Sequence, residues 1–469
     1  MAFLSRLVHI LELQNFVSLI LLAITVYAVS SITDYIRDPL RTVPGPIAAR
    51  YTRLWYFFKI KRGDFHRENI DLHRKYDWYS AFTIPAVTDV NVFAVQDAKV
   101  HGAARRLFAN NYSMSSMVNY EAYVDECIRT FQSTLEKRSA EKQKMDMGDW
   151  LQYYAFDVIG NITFSKPFGF VEKGEDINSM MAQLDQANLY SALAEIFPSI
   201  HAVVIRFASS PAQGLSDWVV NVITKRQEKV AKGEHVPRDD HLTDDFLAKY
   251  LKTHNRDPDV FTPRHILFGT SQNVFAGSDT TAIALSSIVF HHSANPSCLG
   301  KLREEINTAA EEGRVSDPII FVESQSLPYF QAVVKEGLRI NSSVGLPLVR
   351  VVPPGGATLC GKFFPAGTVV GIDPWVAHHN RSIFGADADS FRPERWLEGE
   401  NHEMERYFMP FGLGSRTCLG KNISLLDIGK LIPQLVRNFD FDLERKDRLV
   451  GDNRWFVKPG GFRATPRKL

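Results

Sequence analysis

Between Thr262 and Pro296 the chain reads as one uninterrupted helix, and that length constrains everything packed around it. Thr262 is a good N-cap, Pro263 a good first residue, and Asn295-Pro296 stops the pattern. The run is about 32 residues, or roughly 48 Å at 1.5 Å per residue. In its middle stands Ala276-Gly277-Ser278-Asp279-Thr280-Thr281. An acid followed by two threonines is poor helix material, and a threonine hydroxyl on the i−4 carbonyl locally opens a helix. The bland reading is a polar patch on an exposed face. Here Val274, Phe275, Ile283, Ala284 and Leu285 surround it, so the patch is expected to be buried.

A second constraint lies near the C-terminus. Phe411-Gly412-Leu413-Gly414-Ser415-Arg416-Thr417-Cys418-Leu419-Gly420 sets one cysteine among three glycines, ahead of an apolar run from Ile423 to Ile432. Glycines allow positive φ and close approach to a ligand. Inward N–H groups, a nearby cation and a following helix N-terminus favour a thiolate over a thiol. A soft thiolate in such a cradle suits a transition metal and oxygen chemistry. The alternative is a buried structural cysteine in a turn. Cys127, Cys298 and Cys360 form no C-x-x-C pair with it or with each other, so a zinc site or disulfide framework is not expected. His291-His292 and His378-His379 are adjacent pairs that share no helix face, and are read as ordinary residues. A net charge of +1 suggests no nucleic-acid partner.

Phe16 to Ile32 is a charge-free apolar run of about 17 residues, the lower limit for crossing a bilayer core. Arg37, Arg41, Arg50 and Arg53 follow it, while Arg6 alone precedes it. Positive charge stays cytoplasmic, so residues 1–36 are expected to be a single-pass anchor with the bulk of the protein in the cytosol. No A-x-A cleavage site follows, which argues against a signal peptide. Residues 37–50 form a basic hinge stiffened by Pro44 and Pro46, and 51–469 read as one globular unit. Helical spacing is expected over Ser113 to Arg138, Asp149 to Ile162, Met180 to Phe197, Gln213 to Ala231 and Phe330 to Leu338. Short β-prone runs follow at Pro347 to Val352, Ala357 to Cys360 and Thr368 to Ile372. Trp455 to Val457 and Phe462 to Ala464 flank a Lys458-Pro459-Gly460-Gly461 turn. The fold class is therefore α+β, mainly helical, with a small strand-rich corner.

The cysteine loop resembles the heme-ligating loop of the cytochrome P-450 superfamily, F-x-x-G-x-R-x-C-x-G, with Phe411, Gly414, Arg416, Cys418 and Gly420 in the fixed places. The helix hexapeptide resembles the family's (A/G)-G-x-(D/E)-T-(T/S) oxygen-binding element. Glu336-Gly337-Leu338-Arg339 resembles its E-x-x-R, and Arg395 its P-E-R-F arginine. The resemblance covers nearly all of 43–469 and implies the heme-thiolate monooxygenase fold with heme b. Cys418 would be the axial ligand, and Asp279 and Thr280 the proton suppliers, with Gly277 leaving room for dioxygen. Glu336, Arg339 and Arg395 would form a buried structural triad bracing the thiolate loop. His101, Arg105, Arg350 and Arg416 would hold the propionates, as arginine pairs carboxylates bidentately. Pocket candidates on the same basis are Phe82, Asn273, Phe275, Ala276, Val344, Leu346 and Pro347. The implied partners are dioxygen, an apolar small molecule and an NADPH-dependent reductase on the same membrane, that of the endoplasmic reticulum as for microsomal members. Arg106, Arg416 and Lys421 would offer that reductase a basic face. The phrases Tyr112 to Ser116 and Arg350 to Gly356 resemble fungal pisatin-demethylase-type members, which tailor secondary metabolites.

Two departures stand out. After Tyr76 the chain passes at once to Asp77-Trp78-Tyr79-Ser80, short by about 30 residues, the size of a small supersecondary unit. Asn341-Ser342 stands where His-Pro usually closes the E-x-x-R helix. The rival reading is therefore a non-catalytic heme-binding membrane protein, inactivated by the missing segment.

Overall fold

The computed structural model describes residues 17–18, 21–22, 24–33, 35–37, 41, 43–76, 92–93, 95, 97–197, 201, 204, 211–232, 243–399 and 401–469. Its principal helices are α1 (Phe65–Tyr76), α2 (Ala98–Ala109), α3 (Glu121–Ala140), α4 (Met147–Phe164), α5 (Met180–Ala194), α6 (Gln213–Ala231), α7 (Phe246–Arg256), α8 (Pro263–Ala294), α9 (Pro296–Glu311), α10 (Pro328–Ile340), α11 (Pro374–His378) and α12 (Lys421–Asn438). The long helix forms over the expected span. Thr262 caps it reciprocally with His265, Pro263 opens it, and Asn295 closes it while capping α9.

α8 is the axle of the molecule. From Val274 to His292 it is buried on nearly every side, packed by α4, α10 and α12. Small residues set these crossings. A Cβ added at Gly277 would lie 3.0 Å from Ile159 of α4, and one at Gly337 of α10 would lie 2.5 Å from Ile288. α4 is buried all round, and only Asp149 escapes burial. The main core runs through α3, α4, α8, α10 and α12.

The strands are β1 (Met145–Asp146), β2 (Leu348–Val351), β3 (Ala357–Leu359), β4 (Lys362–Phe364), β5 (Val369–Ile372), β6 (Phe439–Leu443), β7 (Val450–Arg454), β8 (Phe456–Gly460) and β9 (Arg463–Lys468). All pairings are antiparallel: β1-β9-β6, β2-β5, β3-β4 and β7-β8. The expected turn at Lys458 to Gly461 is corrected. β8 runs through Lys458 and Pro459 and pairs with β7 across Trp455, which takes φ +86°, while β9 joins a different sheet. The apolar alternation marked strands there without marking partners. Among the described residues β2 and β5 pair only with each other, and Val351 and Ile372 are exposed on them.

No helix among the described residues is long and apolar enough to cross a membrane. The expected 16–32 span lies partly outside them. Its described residues are helical, and Leu21, Leu22, Ile24, Val26 and Val29 are exposed. The shortening after Tyr76, and Phe82 with it, lie outside the described residues. In the expected hinge, Val43 and Gly45 are buried against the globule.

Candidate functional site

The loop before α12 is built to present a sulfur. Gly412 and Gly414 take φ +68° and +69°, which side-chain-bearing residues rarely adopt. The Cys418 N–H donates to the Phe411 carbonyl at 2.8 Å and closes the loop on itself. A Cβ on Gly420 would come 4.0 Å from Cys418 Sγ, so Gly420 lies directly beside the sulfur. Lys421 sits over the Phe411 ring at 5.9 Å. Cys418 is exposed. Dense protein around it pushes its thiol up, and the N–H groups of Gly420 and Lys421 and the charges of Arg105 and Lys421 only oppose this. The cradle of N–H groups and cations lowers the cost of the anion against that desolvation. A bound metal would supply the rest.

Three arginines and a histidine converge near this loop. His101 is buried on the inner face of α2. Burial chiefly lowers its pKa, and Arg416 and Arg105 lower it further. Burial likewise lowers that of Arg416, with Arg350 and Arg105 adding to the effect. Arg105 is half-buried whereas Arg106 is exposed, which separates the inward arginine from its neighbour. Among the described residues no carboxylate lies within ion-pair distance of Arg105 or Arg350. Arg350 donates to its neighbour, the Val349 carbonyl, at 2.7 Å. Like charges gathered in partial burial are unfavourable unless an anion joins them. A sulfur beside a glycine cradle, with Arg105, Arg350, Arg416 and His101 gathered near it, fits a heme: Cys418 would hold its iron and the basic side chains its propionates.

The middle of α8 carries the polar pair, but the two side chains diverge. The Thr280 hydroxyl donates to the Ala276 carbonyl at 2.7 Å, the i−4 bond expected of it, and Ala276 is exposed on the same face. Asp279 is fully buried on another face. Its Oδ2 accepts from Asn188 Nδ2 at 2.9 Å and its Oδ1 from Gln152 Nε2. Lys458 Nζ stands 3.6 Å from Asp279 Oδ1 and 2.6 Å from Asp185 Oδ1. Burial raises the Asp279 pKa, with Lys458 the main opposing influence. Burial lowers that of Lys458 most, yet Asp279 and Asp185 hold it above its ordinary value. Gln152, Asn188, Asp185 and Lys458 were not legible in the sequence. They come from α4, α5 and β8, and only the tertiary fold brings them to Asp279. Gly277 is also corrected: its missing Cβ makes room for Ile159, so it serves helix packing.

The triad assembles as expected and more completely. Glu336, Arg339 and Arg395 are all buried. Arg339 Nε and Nη2 each donate to Glu336 at 2.8 Å, Arg395 Nε at 3.0 Å, Trp396 Nε1 at 2.9 Å and the Arg392 N–H at 2.9 Å. Burial pushes the Glu336 pKa up, but the two arginines outweigh it and hold the carboxyl below its usual range. Of the pocket candidates, Asn273 is corrected. It is buried in a polar chain, accepting from Tyr112 at 2.5 Å and donating to Thr163 at 3.2 Å. Phe275 packs partly buried against the main core, and Leu346 packs with Tyr56, Ile60 and Phe65. Val344 bridges Phe456, and Pro347 lies beside Gly371.

A profile of the cytochrome P450 family matches residues 65–463. A pisatin demethylase of Fusarium vanettenii is 39% identical over 462 residues, spanning 90% of this chain and 89% of its own length. A cytochrome P450 monooxygenase of Aspergillus terreus is 34% identical, spanning 94% and 97%. One of Emericella nidulans is also 34% identical, spanning 95% and 97%. The crystal structure of a cytochrome P450 superposes with a TM-score of 0.66 at 18% identity, over 91% of this chain and 85% of that one, a likeness of fold.

Proposed function

Because the chain belongs to the cytochrome P450 family, we propose that it oxidises an apolar small molecule in fungal secondary metabolism, drawing electrons from an NADPH-dependent reductase. It is a heme-thiolate monooxygenase by family. The observation that carries the reading is an accessible Cys418 sulfur in a glycine loop with Arg105 and Lys421 close enough to act on it.

Heme, when bound, supplies the activation of dioxygen for insertion into a C–H bond. The rest is the work of this chain's residues. Cys418 would hold the iron, and Arg105, Arg350, Arg416 and His101 would orient the propionates. Thr280 would pass a proton through its hydroxyl, which rests on the Ala276 carbonyl of α8. Asp279 sits one residue away in a water-poor setting that favours its protonated form, which suits a proton source.

The run 16–32 would anchor the protein in the endoplasmic-reticulum membrane with the catalytic unit cytosolic. Its exposed apolar helical residues support this. Exposed Arg106 and Lys421 would make the basic docking face. The name of the Fusarium relative, a demethylase, suggests a substrate with a removable methyl group, whose loss would follow from hydroxylation of the methyl carbon.

One observation favours a second reading, a heme protein without turnover. The Fusarium alignment has more positions than the stretch of this chain it spans, and β2-β5 stands as a pair with exposed apolar residues. The deciding experiment reconstitutes the membrane-bound holoprotein with a fungal reductase, NADPH, isotopically labelled dioxygen and a panel of methoxylated and terpenoid substrates. Label in a product supports the enzyme. Thiolate-type heme with no product from any substrate, and only NADPH-driven peroxide, supports the second reading.

A further inference from the structure

Among the described residues, no hydrogen bond of Glu336, Arg339 or Arg395 reaches the Cys418 loop; they end between 378 and 396. What joins the two is His378. Its carbonyl accepts from Arg339 Nη1 at 2.7 Å. Its ring, fully buried, spans the gap between two other segments. The Met409 N–H donates to Nε2 at 2.9 Å, and Nδ1 lies 2.7 Å from Ser342 Oγ. Met409 opens the thiolate loop: its carbonyl accepts from the Gly412 N–H at 3.0 Å, and the Phe411 carbonyl accepts from the Cys418 N–H at 2.8 Å.

The proton positions follow from the partners. Nε2 accepts a backbone N–H, so it carries no proton. Burial first, then the charges of Arg339 and His379, depress the ring's pKa to about 3, so the ring is neutral and its proton sits on Nδ1. Nδ1–H then donates to Ser342 Oγ. Ser342 is itself fixed, its carbonyl accepting from Trp375 Nε1 at 2.8 Å. A proline at 342 would have no hydroxyl to offer, so this contact belongs to the serine of this chain.

We propose that His378 is a positioning residue for the heme ligand. Ser342 locks its ring as the Nδ1–H tautomer, Arg339 pins its backbone, and its Nε2 holds Met409 and thereby the base of the Cys418 loop. The proposal rests on Cys418 as the iron ligand, and its test has a readout independent of turnover. His378→Gln puts an amide oxygen near the place of Nε2, whereas His378→Asn reaches only as far as Nδ1, and His378→Leu offers no acceptor. The measurements are hydrogen exchange at the Met409 amide and the fraction of ferrous carbon monoxide complex with the thiolate-type Soret band, both on the full-length holoprotein. His378→Asn and His378→Leu are expected to speed Met409 exchange by about tenfold, as for loss of one buried hydrogen bond. They should also shift part of the spectrum away from the thiolate type, with His378→Gln restoring most of both. Wild-type exchange and spectrum in His378→Asn, or a His378→Gln as damaged as His378→Leu, would overturn the proposal. Should the His378 variants fail to fold, Ser342→Ala keeps the ring and frees the tautomer. Several-fold faster Met409 exchange there supports the idea, and unchanged exchange refutes it. Cys418→Ser separates this from the functional reading: it removes the thiolate spectrum while Met409 stays slow to exchange.

Discussion

At the scale of single residues, adjacency in sequence and adjacency in chemistry part company. Asp279 and Thr280 are neighbours on α8, yet one faces Ala276 and the other a buried nest of Gln152, Asn188 and Lys458. If Asp279 is the proton source, Asp279→Asn keeps shape and polarity and removes only the acid. Turnover should drop by about 10²-fold with heme content and spectrum unchanged, and the solvent isotope effect on kcat should rise. An undiminished kcat would reassign the proton source. The motif residues themselves were readable because their chemistry is local: Cys418 needs glycines beside it, and Glu336 and Arg339 need one helical turn between them. The bridge that His378 makes between Ser342 and Met409 was not legible, since a bridging histidine leaves no local pattern.

At the scale of elements, helix crossings depend on glycines whose purpose the sequence could not reveal. Gly277 lies in a motif associated with oxygen binding, but in three dimensions it is the point where α4 crosses α8. Gly277→Ala forces Ile159 to shift, an overpacking cost of about 1 kcal/mol set against the helix propensity gained. Ile159→Ala removes the Cδ1 at 3.0 Å and the Cγ1 at 3.1 Å that are in the way. The double variant should therefore be more stable than the sum of the single effects, measured by thermal melting in a double-mutant cycle. Simple additivity would mean that the two residues do not compete for that space. The strand pairings show the same division. The runs that form β2, β3, β5, β8 and β9 were marked in the sequence, whereas β1, β4, β6 and β7 were not, and no local pattern assigned β8 and β9 to different sheets.

At the scale of the whole molecule, burial of titratable groups shapes stability against pH. His66, His292 and His378 are depressed to about 3, and His291 and His379 to about 4, each chiefly by burial. Their folded pKa values lie below the unfolded ones, so the stability they allow is present above about pH 6.5 and is lost as pH falls towards 3–4. Each contributes up to about 1.4 kcal/mol per pH unit in that window. Asp427 runs the other way. It is buried with its Oδ1 unpartnered, and burial raises its pKa well above the usual carboxylate range. Its contribution is full below the unfolded carboxylate pKa near 4 and is lost as pH rises. The Tm of the holoprotein should fall on acidification from pH 7 to 5, and Asp427→Asn should melt above wild type at pH 7 but level with it near pH 4. A flat acid limb would mean that these histidines are not held neutral. The amino-acid sequence by itself determined the long central helix, the mainly helical class and the cysteine loop, because capping, periodicity and glycine placement act over a few neighbouring residues. Only the tertiary structure decided which way Asp279 faces, what fills the space at Gly277 and how the ion triad reaches Met409. Those outcomes depend on burial and on contacts between segments far apart in the chain, and no local pattern encodes them.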